Sequence, residues 1–144
     1  MKQEDFLGWM NQAAIVDAIK KAEGKTSGEI RVFVTRQAVY HPLGEGRRVF
    51  EKIGMMETKK RNGVLFFIAP KTRRFSVIFD VGVEKKCGSS FWHQVTNEMS
   101  YYFEKDAYTF ALVAGIKLAG KILADHFPSC PEDKNELPNL IATD

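Results

Sequence analysis

The stretch VLFFIAPKTRRFSVIFDVG, Val64 to Gly82, sets two apolar runs on either side of a basic turn. In the first run, Val64 to Ala69, apolar side chains fall on both faces, the pattern of an inner strand covered from above and below. In the second, Phe75, Val77 and Phe79 alternate with Ser76 and Ile78, and the short PKTRR turn predicts an antiparallel hairpin. A strand with no polar face demands a layer of helices on each side.

The rest of the chain supplies them. Gln12 to Lys25 carries Ile15, Ile19 and Ala22 at helical spacing and stops at Gly24, while EIRVFVT alternates Ile30, Val32 and Val34 with Arg31, Phe33 and Thr35 as a strand. HPLGEG reads as a break, and Arg47 to Met56 as a helix with Val49, Phe50 and Ile53 on one face. Two further helices follow: Phe91 to Lys105, capped by Ser89 or Ser90, and a segment through Val113, Ile116, Gly120, Leu123 and Phe127 that Pro128 ends. A helix between the first two strands makes them parallel, and the tight turn makes the third antiparallel to the second. The predicted class is α/β: a three-layer α/β/α sandwich with a small mixed sheet and helices on both faces. Residues 1–128 are read as the domain and 129–144 as a C-terminal tail wrapping it.

Several function classes are excluded. The formal charge of +3 arises from 21 basic and 18 acidic residues that are interleaved, so no nucleic acid partner is expected. Cys87 and Cys130 stand far apart with no CxxC partner, which leaves neither a disulfide framework nor a zinc site. The apolar segment Tyr108 to Phe127 is broken by Lys117, Lys121 and Asp125, against membrane insertion, and MKQEDFLGWMNQ does not read as a secretory signal. A cytoplasmic, monomeric domain is expected.

Strand direction brings distant polar residues together. The parallel strands start at one edge of the sheet and the third strand finishes there, so Glu29, Asn62 and Asp80 converge on a common rim. Acids gathered in this way resist joint ionisation unless a cation or donors neutralise them. Calcium, or magnesium, is the expected cofactor, with carbonyls made accessible by Gly28, Gly63 and Gly82. The alternative is structural: Asp80 caps a loop and Glu29 pairs with Arg31 or Arg61. In the tail, PEDKNE offers Asp133 and Glu136 as further oxygen ligands, although Leu137 and Pro138 break the EF-hand pattern.

AIKKAEGKTSGEIRV, FEKIGMMETKKRNGVLFFIAPKTRRFSVIFDVGVEKKCG, FW, and HFP with DKNELP together resemble the TPM domain family, closest to short bacterial members. Departures include Phe79, where many relatives have glycine before the acid. The resemblance implies an α/β/α sandwich and an acidic metal site at Glu29, Asn62, Asp80, Asp133 and Glu136. Because some relatives are reported as calcium binders and others as acid phosphatases, it also implies three candidate roles. These are binding of a divalent metal ion, hydrolysis of phosphate monoesters, and interaction with a membrane-associated protein partner.

Overall fold

The doubly apolar run forms β2, Gly63–Ala69, and every residue of it is buried. The computed structural model describes residues 1–129 and 141–144. Beside β2 lie β1, Glu29–Val34, parallel to it, and β3, Arg74–Phe79, antiparallel. A short β4, Ala142–Thr143, pairs in parallel with Phe33 and Val34, giving the order β3-β2-β1-β4.

Helices cover both faces. On one, Ile30, Val32, Val64, Phe66, Ile68 and Val77 pack against α2 (Gln12–Glu23), α5 (Ser90–Phe103) and α6 (Tyr108–His126), through residues such as Ile19, Val95 and Leu112. On the other, Phe33, Leu65, Phe67 and Ile78 meet Val49 and Phe50 of α3, Pro42–Lys52. The alternation of the strands thus sorts two cores, and the α/β/α sandwich expected from the element order is the fold observed.

Four local features differ from the sequence reading. An additional helix α1, Gln3–Trp9, buries Phe6. The segment HPLGEG opens α3 instead of breaking the chain, because Pro42 occupies the first turn, where its missing N–H costs nothing. The helix ends at Lys52, and Met55–Glu57 is a separate 3-10 turn. Finally, the chain after β3 enters another helix, α4, Val81–Cys87, and the tail returns as β4. Two residues of β4 carry too little periodicity to announce a strand, whereas its anchor, Asp144, accepts from the Arg36 backbone N–H at 2.8 Å.

Gly46 explains the composition of HPLGEG. A Cβ there would stand 2.7 Å from Ser76 Oγ and 2.9 Å from Ile78, so α3 touches the sheet through a bare backbone. Ser76 cannot move freely, because its hydroxyl donates to the Pro42 carbonyl at 2.6 Å. Gly46→Ala is expected to destabilise the fold by about 1–3 kcal/mol through overpacking. Urea unfolding measures this, and an unchanged midpoint would refute the close approach.

Candidate functional site

The starting rim of the sheet is built by three chain reversals. Glu29 is paired with Gly63 in the parallel register, and the Asp80 backbone N–H donates to the Gly63 carbonyl at 3.1 Å. The segment before β1 is fastened to the end of α6: the Thr26 hydroxyl donates to the Phe127 carbonyl at 2.5 Å, as does the Ser27 N–H at 3.0 Å. Glu29, Asn62 and Asp80 therefore share one rim and are all buried, at 3%, 2% and 5% exposure. Asp133 and Glu136 lie outside the described residues.

Within the rim these residues have different surroundings. Asp80 accepts from Arg61 Nε at 2.6 Å and Nη2 at 2.8 Å, a bidentate pair, and from the Val81 N–H at 2.8 Å as N-cap of α4. The cap expected of Asp80 is thus present, and Arg61, expected as a partner of Glu29, pairs with Asp80. The loop that delivers Arg61 is held just as closely. Arg61 sits at φ 51, its carbonyl accepts from the Gly82 N–H at 2.9 Å, and a Cβ on residue 82 would stand 2.6 Å from that oxygen and closer still to the Lys60 carbonyl. Gly82 is required for the approach of α4 to this loop.

Asn62 bridges toward β1: its Nδ2 donates to Ser27 Oγ at 3.2 Å, and its backbone N–H donates to Thr58 Oγ1 at 3.2 Å. Lys60 Nζ also reaches Ser27 Oγ at 3.4 Å.

The acid beside Glu29 is Glu23, which the sequence reading missed. It is the last residue of α2, and the Gly24-to-Gly28 reversal folds it back onto the start of β1, where its Oε2 accepts from the Ile30 N–H at 2.8 Å. Burial, together with the charge and hydrogen bond of the neighbouring Glu29 carboxyl, raises its pKa from 4.5 to about 8, against the opposing effect of the Ile30 N–H. Its other oxygen, Oε1, is fully buried without a hydrogen-bond partner. The signal was available: an acid in a last helical turn, where cations are favoured, six residues before another acid that opens a strand.

A hard cation is bound by oxygen atoms, and two neighbouring carboxyl groups, that of Glu23 with a raised proton affinity, are a donor set of the right kind. The described residues supply only part of a shell. Glu23 and Glu29 would contribute carboxylates and Ser27 and Asn62, hydrogen-bonded to each other, neutral side-chain oxygens on the same rim, while no cluster of three or more His, Cys, Asp or Glu occurs among the described residues. Water would complete the coordination.

Two outcomes follow from this geometry. The proton on Glu23 is retained in the folded state between about pH 4.5 and 8, where an unfolded glutamate has lost it. Its stabilising contribution is therefore full below pH 4.5, erodes through that window and is gone above about pH 8. Melting curves should show Glu23→Gln gaining on the parent protein as pH rises from 5 to about 9; a constant difference would mean that Glu23 is ionised throughout. For Asp80, the double variant Arg61→Ala/Asp80→Ala should be less destabilised than the sum of the single changes, because Arg61→Ala alone strands a buried carboxylate. Additive losses in urea unfolding would show that the pair is not coupled.

The TPM domain family model matches residues 1–122. The NMR structure of the BA42 protein from the psychrophilic bacterium Bizionia argentinensis superposes with a TM-score of 0.87 at 34% identity, covering 94% of this chain and 96% of that one. The N-terminal domain of a protein from P. gingivalis shares the fold, with a TM-score of 0.60 at 19% identity over 77% of this chain and 74% of the other. No curated protein matches the chain. The family match over most of the sequence and the full-length likeness to BA42 lead to one conclusion: this chain belongs to the TPM domain family.

Proposed function

We propose that this TPM domain binds a divalent cation, calcium before magnesium, at the rim where β1 begins, and that its role is binding instead of turnover. The observation that carries the reading is the abutting Glu23 and Glu29 carboxyls, a buried site that takes up positive charge at neutral pH. A proton fills that need weakly; a divalent ion fills it with more charge and more bonds. Glu23 and Glu29 would hold the ion, and Ser27 and Asn62, hydrogen-bonded to each other at 3.2 Å on the same rim, would offer further oxygens. Calcium is favoured because it tolerates irregular shells, whereas magnesium demands near-octahedral geometry and sheds water reluctantly.

Asp80 serves differently in this reading. It keeps the Arg61 loop and the start of α4 in place, and so positions Asn62, the next residue in the chain. Hydrolysis of phosphate monoesters draws on the resemblance alone: His41, His93 and His126 are exposed on separate parts of the chain.

Calorimetric titration of the metal-stripped protein with calcium tests the proposal. Binding should release protons and tighten with pH, by up to roughly tenfold per unit below pH 8. Glu23→Gln and Glu29→Gln should each weaken it at least about tenfold, with Asp80→Asn having a smaller effect. Absence of calcium heat together with unchanged amide shifts at millimolar calcium would refute the proposal. Loss of binding in Asp80→Asn with retention in Glu29→Gln would move the site to the other side of the rim.

A further inference from the structure

At the opposite end of the sheet, where β2 leaves at Ala69 and β3 begins at Arg74, a cavity of about 320 Å³ opens between the hairpin turn and the α5–α6 turn. A strand of seven residues separates it from the carboxylate rim, about 20 Å at 3.3 Å per residue. The two places are independent.

The cavity is apolar inside and basic at its mouth. Ile68, Phe75 and Phe103 contribute to its wall, the two rings stacked with centroids 4.8 Å apart, and Tyr108 closes one side 6.0 Å from Phe103. Arg73 and Arg74 stand at the opening with Glu104, all three exposed. Arg74 has no ion-pair partner among the described residues, and its guanidinium lies 5.9 Å from the Tyr40 ring centroid. Arg73 pairs with Asp106 at 2.6 Å, but the two side chains are 65% and 62% exposed, so the pair contributes little and exchanges readily. Both members hold left-handed backbone without being glycine, at φ 55 and 57, a conformation that is uncommon for such residues.

We infer that this cavity binds a small apolar carboxylate, an aryl or short-chain acid of about ten to fifteen non-hydrogen atoms. The volume falls at the lower end of small-ligand sites, which combine apolar walls with a few convergent polar groups. The apolar body lies against Ile68, Phe75 and Phe103. The carboxylate meets the guanidinium of Arg74 and takes the place of Asp106 on Arg73, forming charge-assisted hydrogen bonds in the planar geometry that arginine offers.

The test titrates 2-naphthoate, and its uncharged analogue 2-naphthol, into the full chain while amide shifts and heat are recorded. Naphthoate should saturate the protein at least about tenfold more tightly than naphthol. Its shift changes should gather at residues 68–75 and 100–108 and spare 61–63. Arg73→Ala/Arg74→Ala, which alters exposed side chains only, should bring the two affinities within about twofold of each other. Ser100 also lines the cavity, and Ser100→Phe, which fills it, should abolish both; if its melting curve shows a damaged fold, the arginine variant decides alone. Equal affinities in the parent protein, shift changes elsewhere, or no saturation by either probe at millimolar concentration would overturn the inference.

Discussion

Strand β2 has no side that tolerates water. With Gly63 to Ala69 all buried, both faces need a helical layer and both edges need a strand, and the rest of the chain is disposed to meet those demands. The parallel neighbour β1 requires a crossover, which α3 supplies; the antiparallel neighbour β3 requires only a tight turn. Each neighbour then dictates one end of the sheet. At the starting rim, three separate reversals bring polar residues under the layers. At the far end, the hairpin turn faces the α5–α6 turn, and the space between them is not filled.

That division of labour decides where chemistry can occur. In the middle of the sheet, Phe66, Phe67 and Leu65 are fully buried among apolar neighbours and leave no room for solvent. At the ends, backbone groups run out of ladder partners, and side chains take over: Glu23 serves the Ile30 N–H, Asp80 the Val81 N–H, and Asp144 the Arg36 N–H. Each of these acids is placed by the backbone's need for an acceptor. Their different charge environments are a consequence of what else stands nearby.

Much of this was legible in the residues. The alternation in EIRVFVT and FSVIF, and its absence in VLFFIA, specified strand faces, pairing and the two helical layers. The element order specified that Glu29, Asn62 and Asp80 reach a common rim. Glu23 stood out as an acid in a last helical turn, but helical periodicity ended at Gly24 and gave no angle for the reversal that folds it onto Glu29. The Arg61–Asp80 pair was not among the expected contacts, because Arg61 was assigned to Glu29 and Asp80 to a cap. HPLGEG misled because Gly46 is small for packing, and a glycine needed for close approach looks the same in sequence as one that ends a helix. The helix after Asp80 is short enough that its cap was the clearest sign of it, and the cap was read as a loop.

The two acidic positions at the rim are neutralised in ways that respond differently to a competing ion. Asp80 is held by a guanidinium on the same chain, at bonding distance and always charged; an incoming cation must displace a tethered partner and gains only the difference between the two interactions. Glu23 is neutralised by a proton drawn from water, whose concentration at neutral pH is on the order of 10⁻⁷ M and falls tenfold with each pH unit. On the proposed reading, a divalent ion would compete there against a dilute rival and would relieve the repulsion between both carboxylates at once. Burial sharpens this contrast, because Glu23 Oε1 has no other donor to turn to. The rim's exchangeable charge therefore resides at β1, and the carboxylate at the end of β3 is the fixed part of the frame.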